Sequence, residues 1–249
     1  MKSRNQYELN LMRKSGKIAA SALARSLENI KPGVVELEVD KIAEREIYKL
    51  GGDLSYKTVP GYKYATCITV NEEVVHGIPT DREFIKNDLV SVDLAVMYKG
   101  WHTDCAWTKL IGKDREKEKF LQIGEQALWE ATGQAMAGNR IGDISAAIQK
   151  RVEGAGYNVV RSLVGHGVGR SLHENPQIPG VGAAGRGMVL KEGMTLAIEV
   201  IYTRGREEVV LGSDGWTFKT ADGSWGGLFE MTVIVGSKQA EVLTDWRKV

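Results

Sequence analysis

The strongest pattern in the chain runs from Leu89 to Leu110, where stretches suited to burial are interrupted by single acids. Apolar and β-branched residues run from Leu89 to Met97, Lys99-Gly100 supplies a two-residue turn, and Trp101 to Leu110 returns, which predicts a β-hairpin. About that turn Asp93 pairs with Ala106 and Asp104 with Ala95, so the two carboxylates become diagonal neighbours on one face, roughly 7 to 8 Å apart at Cα. Bare carboxylates are strongly disfavoured in a buried site unless they share protons or bind cations. From the hairpin alone two readings stand equally: this face grips a metal ion, or it is solvated.

Upstream, Leu11, Ile18, Ala22 and Leu27 recur near helical spacing and predict a helix over Glu8 to Ile30, stopped by Lys31-Pro32-Gly33. Leu37, Ile42, Ile47 and Leu50 predict a second over Glu36 to Leu50, closed by Gly51-Gly52. After the hairpin the order repeats, with helices expected over Arg115 to Ala137 and Ile144 to Ala155, the latter ended by Gly154 and Gly156. An offset of 105 lays Pro32-Gly33 on Ala137-Gly138 and Gly51 on Gly156, and an offset of 106 lays Leu89–Asp93 on Thr195–Glu199. Asp93 and Glu199 then occupy equivalent positions, either through duplication or through chance matching of two helix-helix-strand segments.

Composition narrows the classes. With 249 residues, 43% apolar and 26% charged, the chain suits a soluble globular fold with a substantial core. Thirty-three basic residues against 32 acidic ones leave a net charge of +1, so no bulk charge points to nucleic acid or an acidic membrane surface. Cys67 and Cys105 make at most one bridge, and the polar start MKSRNQYELN has no apolar export segment, so a reducing cytoplasm is expected. No stretch is apolar and long enough to span a bilayer.

The second half supplies partners for the hairpin acids. His166 lies among glycines in Gly165-His166-Gly167-Val168-Gly169, and His173-Glu174 follows; either His could equally be a satisfied polar core residue. Glu199 in MTLAIEVIY and Glu230 in GGLFEMTVIV are acids central to strands otherwise suited to burial. One such acid is tolerable, whereas four need countercharge. Asp93, Asp104, Glu199 and Glu230 with the His166 imidazole form an oxygen-rich set with one nitrogen, suited to two divalent ions such as manganese, cobalt, iron or zinc.

Other motifs fare worse. His173-Glu174 is followed by Asn175-Pro176-Gln177, so there is no H-E-x-x-H helix site, and no G-x-S-x-G elbow occurs. Gly180–Gly185 matches G-x-G-x-x-G but precedes no clear helix, so a mobile loop is expected. Cys67 and Cys105 read as small apolar side chains rather than nucleophiles.

Asn71-Glu72-Glu73-Val74-Val75-His76-Gly77-Ile78-Pro79, Val92-Asp93, Asp104, Gly165–Gly169, His173-Glu174, Ile198-Glu199, Asp214-Gly215-Trp216-Thr217 and Glu230 together resemble the type I methionine aminopeptidases, over essentially the whole chain. The resemblance implies an α+β "pita-bread" fold, one catalytic domain over 1–249 whose related halves, roughly 5–110 and 111–235, pack helices on a curved antiparallel sheet. It implies two divalent ions held by Asp93, Asp104, His166, Glu199 and Glu230, with Asp93 and Glu230 as bidentate bridges. It implies removal of the N-terminal methionine from new polypeptides, preferably before a small second residue, by a hydroxide held between the ions. Glu199 would shuttle the proton, His173 would hydrogen-bond the scissile carbonyl, and His76 would contact the peptide nitrogen or the following residue. Tyr62, Cys67, Leu172 and Trp216 would line the methionine pocket by analogy, with plain core packing equally open for each.

The pattern departs from the family at Val200, where proline is usual, at Met231, where bacterial members often have His, and at Leu172, where an aromatic is common. All three changes spare the ligands and put side-chain preference and rate in question. The expected partners are methionyl peptides and nascent chains, with transient ribosome contact, no nucleic acid, no membrane and a monomeric state. A proline-directed aminopeptidase of the same fold and a non-catalytic binding relative are the competing readings.

Overall fold

The computed structural model describes residues 3–249. Helix α1 (Gln6–Asn29) starts two residues before the position expected from hydrophobic spacing, because Asn5 caps it. The Asn5 side chain accepts the Glu8 N–H at 3.0 Å, and the Glu8 carboxylate accepts the Asn5 N–H at 2.9 Å. Helix α2 (Glu36–Lys49) ends against Gly51, whose φ of +80° suits glycine at a helix exit. Strands β1 (Asp53–Leu54), β2 (Thr66–Val70) and β3 (Glu73–Val75) lead to the hairpin β4 (Leu89–Tyr98) and β5 (Trp101–Leu110). Its turn residues Lys99 and Gly100 both have positive φ, 51° and 75°, and the register opposes Asp93 to Ala106 and Asp104 to Ala95, as the turn predicts.

Helix α3 (Arg115–Gly133) stops short of the expected Ala137 because the chain leaves the helix to pair with a later segment of the same half, the Ala137 N–H donating to the Gly236 carbonyl at 2.8 Å. Helix α4 (Ile141–Gly154) begins three residues early because the Asp143 carboxylate accepts the Arg140 N–H at 2.7 Å. The remaining strands are β6 (Asn158–Val159), β7 (Val164–Gly167), β8 (Glu174–Pro179), β9 (Thr195–Thr203), β10 (Val209–Leu211), β11 (Phe218–Thr220), β12 (Gly226–Ile234) and β13 (Glu241–Val242).

Ten strands form one antiparallel sheet with the path β1-β4-β5-β12-β9-β7-β8, while β10, β11 and β3 form a small second sheet. Strand alternation divides the large sheet into two faces. Val90, Val92, Leu94 and Val96 of β4, Cys105 and Trp107 of β5, Phe229, Met231 and Val233 of β12, and Leu196, Ile198, Val200 and Tyr202 of β9 join the main core with Ile18, Leu23, Ile47 and Phe120 of the helices. The opposite face carries every acid that the strand pattern singled out. This is the α+β arrangement expected, with helices packed on an antiparallel sheet.

The Gly180–Gly185 segment precedes no helix, as expected, but it is anchored where mobility was expected. The Gly182 N–H donates to Gln149 at 3.1 Å and the Gly185 N–H to Asp143 at 2.7 Å, which fasten it to α4. Both cysteines are buried and free. Among the described residues, no helix is long and apolar enough to cross a membrane.

Candidate active site

The central strands place their acids in one lateral row. Asp93 on β4 opposes Ala106 on β5, Ala106 opposes Glu230 on β12, and Glu230 opposes Glu199 on β9. Asp104 lies two residues along β5 from Ala106, and His166 on β7 pairs with Ala197, two residues along β9 from Glu199; the period of two therefore turns all five side chains to one face. Ala106, with its minimal side chain, keeps the middle of the row open.

Asp93, Asp104, His166 and Glu230 are buried, whereas Glu199 is partly exposed in a strand whose neighbours are not. His166 Nε2 stands 4.0 Å from Asp104 Oδ2 and 4.0 Å from Glu230 Oε1, so these three residues can present ligand atoms to one ion. Nδ1 of His166 lies 2.9 Å from the Gly167 carbonyl; donation there leaves the Nε2 lone pair facing the carboxylates, the arrangement of a metal-binding imidazole. Glu230 Oε1 is buried with no hydrogen-bond partner, a lone pair that needs a cation or a proton.

Electrostatics agree with this reading. Burial, opposed in part by hydrogen bonds from its neighbours, pushes the Asp93 carboxyl up to about 7; burial and then the Asp93 charge push Glu199 up to about 8. Burial followed by repulsion from the neighbouring acids holds Asp104 and Glu230 well above the carboxylate range. Burial lowers His166 to about 4, so the imidazole is neutral and able to coordinate. Without cations this cluster must carry protons. The donor set, four carboxylates and one imidazole, fits divalent first-row metals.

The cluster forms the floor of a cavity of ≈ 490 Å³ that also takes in His76, His173, Tyr62, Cys67, Leu172 and Trp216, so every site residue read from the sequence borders one space. Tyr62, Cys67 and Leu172 are buried in an apolar cluster with Tyr56 and Ala95, and Trp216 packs edge-on against Tyr62 at 5.1 Å between centroids. Trp216 is held by a turn in which Asp214 Oδ1 accepts the N–H groups of Trp216 and Thr217, each at 2.9 Å. His173 lies over the cluster, its ring centroid 4.5 Å from that of His166. His76 follows β3 at the rim with a φ of 60° and meets Phe218 edge-on at 5.8 Å. The next residue has to be glycine, because a Cβ on Gly77 would fall 1.9 Å from the Ile68 carbonyl oxygen.

One residue of the floor escaped the sequence reading. Tyr56 donates its hydroxyl to Asp93 Oδ1 at 2.5 Å and lies 3.4 Å from Asp104 Oδ1. It sits in a 3-10 turn, Ser55–Thr58, where no periodicity separates it from an ordinary core aromatic.

Comparison with known proteins agrees with this geometry. A methionine aminopeptidase of Clostridium perfringens (strain 13 / Type A) is 41% identical over 242 residues, 97% of either chain. Methionine aminopeptidase 1 of Bacillus subtilis (strain 168) is 41% identical over 238 residues, 95% of this chain and 96% of its own. The crystal structure of a methionine aminopeptidase from Thermotoga maritima superposes with a TM-score of 0.96 at 42% identity, covering 98% of this chain and 99% of that one, which places the α+β architecture in the pita-bread fold. The sequence model of metallopeptidase family M24 matches residues 10–237, a span that holds all five acid and imidazole positions of the cavity floor, and the chain belongs to that family.

Proposed function

We propose that this protein is a metal-dependent aminopeptidase that removes the N-terminal methionine from polypeptides, preferably when the second residue is small. The observation that carries the reading is the adjacency of a buried acid-imidazole cluster to an apolar pocket in one cavity, in a chain about 41% identical along its length to proteins named methionine aminopeptidase.

Asp93, Asp104, His166, Glu199 and Glu230 would hold two divalent ions. Asp104 Oδ2 stands 4.0 Å from His166 Nε2, and its Oδ1 lies 3.4 Å from the Tyr56 hydroxyl that donates to Asp93, so Asp104 links the imidazole side of the cluster to Asp93. When bound, such ions make water a nucleophile near neutral pH and polarise a carbonyl. The protein's own groups do the rest. Tyr62, Cys67, Leu172 and Trp216 take up the unbranched, apolar methionine side chain and exclude water from the reacting end. Glu199, partly exposed in the cavity, accepts a proton from the attacking water and returns it to the leaving amine. His173, lying above His166, donates a hydrogen bond where charge develops on the carbonyl oxygen, and His76 at the rim contacts the peptide beyond the scissile bond. The offset of 106 that lays Asp93 on Glu199 supports one catalytic domain made of two related halves.

The test is turnover of Met-Ala-Ser and of an Xaa-Pro peptide by wild type and Glu199→Gln, with and without a chelator. Metal-dependent release of methionine from Met-Ala-Ser, little action on Xaa-Pro, and loss of turnover in Glu199→Gln are expected. Preferential cleavage of Xaa-Pro would replace the reading with a proline-directed one. Turnover that survives chelation would sink it, and undiminished turnover in Glu199→Gln would remove the role given to that residue.

A further inference from the structure

We infer that Tyr56 is a positioning residue of the metal centre: its hydroxyl fixes the Asp93 carboxylate in the orientation in which Asp93 and Asp104 share a cation. The inference rests on the metal-dependent reading given above and adds a residue to its machinery.

The geometry of the turn carries the argument. Ser55–Thr58 is a 3-10 turn locked at several points: Ser55 Oγ lies 2.6 Å from His102 Nδ1, Thr58 Oγ1 donates to the Ser55 carbonyl at 2.7 Å, and the Val59 N–H donates to the Tyr56 carbonyl at 2.9 Å. The Tyr56 ring is buried, meeting Tyr62 edge-on at 5.7 Å and packing with Cys67, Ala95 and Leu172. Both backbone and ring are therefore fixed, and the hydroxyl has one place to point. It carries a single proton, and the shorter contact, 2.5 Å to Asp93 Oδ1 against 3.4 Å to Asp104 Oδ1, assigns that proton to Asp93.

A carboxylate oxygen that accepts one hydrogen bond keeps a second lone pair, and the other oxygen of Asp93 stays free, so the bond orients the group without blocking coordination. Orientation matters because a ligand free to rotate must be ordered each time a cation binds, whereas the Tyr56 hydroxyl, 2.5 Å from Asp93 Oδ1, holds that carboxylate in place beforehand. Hydrogen-bond partners of metal ligands act in this way elsewhere, and losing one typically costs about 10–100-fold in metal affinity. If Tyr56 were only packing, its ring would suffice and the hydroxyl would be dispensable.

Tyr56→Phe separates the two roles, since it keeps the ring and removes the hydroxyl. The full chain, stripped with a chelator, is titrated with Co2+ by calorimetry while the visible absorption of the bound ion is followed. Wild type should take up two equivalents. In Tyr56→Phe the weaker step should lose about 10–100-fold in affinity with an altered Co2+ spectrum, while the tighter step, assigned to Asp104, His166 and Glu230, should change less than about threefold. Asp93→Asn identifies the affected step, because it should remove the same one. Wild-type affinities and spectrum in Tyr56→Phe would overturn the inference while leaving the metal-dependent reading intact. A wild-type chain that binds no Co2+ would overturn both.

Discussion

Glu199 and Glu230 stand directly opposite one another across the antiparallel pair β9 and β12, the position at which like charges are least tolerated in a sheet. A carboxyl that holds its proton more tightly in the folded chain than in the unfolded one stabilises the fold at low pH and withdraws that contribution as pH rises through its folded value. Asp93 rises from 3.8 to about 7 and Glu199 from 4.5 to about 8, so the metal-free protein should lose stability as pH climbs from about 4 to about 8. Melting temperatures of chelator-treated protein should therefore fall between about pH 5 and about pH 8, less steeply in Glu199→Gln, and Co2+ or Mn2+ added at the upper end should restore them. A metal-free wild type that grows steadily more stable over this window would show that the acids are not held together as described.

The two histidines of the cavity are expected to separate kinetically. His173 lies over His166 and the acids, whereas His76 sits at the rim beside Phe218. His173→Ala should lower kcat on the order of a hundred- to a thousandfold with KM changed little, the signature of a donor that acts on developing charge. His76→Ala should instead act mainly through KM. Steady-state kinetics on Met-Ala-Ser decide between these patterns, and equal losses in KM alone for both variants would exclude the role given to His173.

Much of this site was legible in the sequence because it sits on strands with a period of two and a turn of fixed length. Lys99-Gly100 sets the hairpin register, and that register puts Asp93 and Asp104 on one face. Glu199 and Glu230 stood out because a lone acid in a buried strand is costly. Tyr56 did not, because a short 3-10 turn has no pattern to violate and its partner Asp93 lies 37 residues away. Nor did spacing reveal the link from Arg4 to Glu174, beside His173, which joins residues 170 apart along the chain. Two helix starts lie outside the hydrophobic spacing because a side chain decides them, Asn5 for α1 and Asp143 for α4.

The placement of β2, and with it Cys67 opposite Asp93, depends on a buried carboxylate in α2. Asp40 Oδ1 accepts the Ala65 N–H at 2.9 Å, the Thr66 N–H at 2.9 Å and the Thr66 hydroxyl at 2.8 Å. Asp40→Ala leaves buried donors unmatched and is expected to cost about 2–4 kcal/mol in urea unfolding, whereas Asp40→Asn, which keeps an acceptor oxygen, should cost less than about half of that. A neutral Asp40→Ala would mean that water satisfies these donors.

Two glycines of α3 should answer the same substitution with opposite signs. Glycine inside a helix ordinarily weakens it relative to alanine by about 0.5–1 kcal/mol, so Gly133→Ala, in the last turn with nothing within 4 Å of the added carbon, should stabilise the fold by about that amount. At Gly124 the same carbon would fall 2.4 Å from the Tyr202 hydroxyl and 2.6 Å from Phe229 Cδ2, so Gly124→Ala should destabilise by about 1–3 kcal/mol despite its better helix propensity. The effect should reach the cavity as well, because Phe229 precedes Glu230 on β12 and Tyr202 lies three residues beyond Glu199 on β9. Pushing those rings away from α3 shifts both strands that carry the opposed acids, so Co2+ affinity should fall in Gly124→Ala and hold in Gly133→Ala. Thermal melts paired with Co2+ titrations read both effects, and stabilisation by Gly124→Ala would show that helix and sheet pack less closely here than the contact requires.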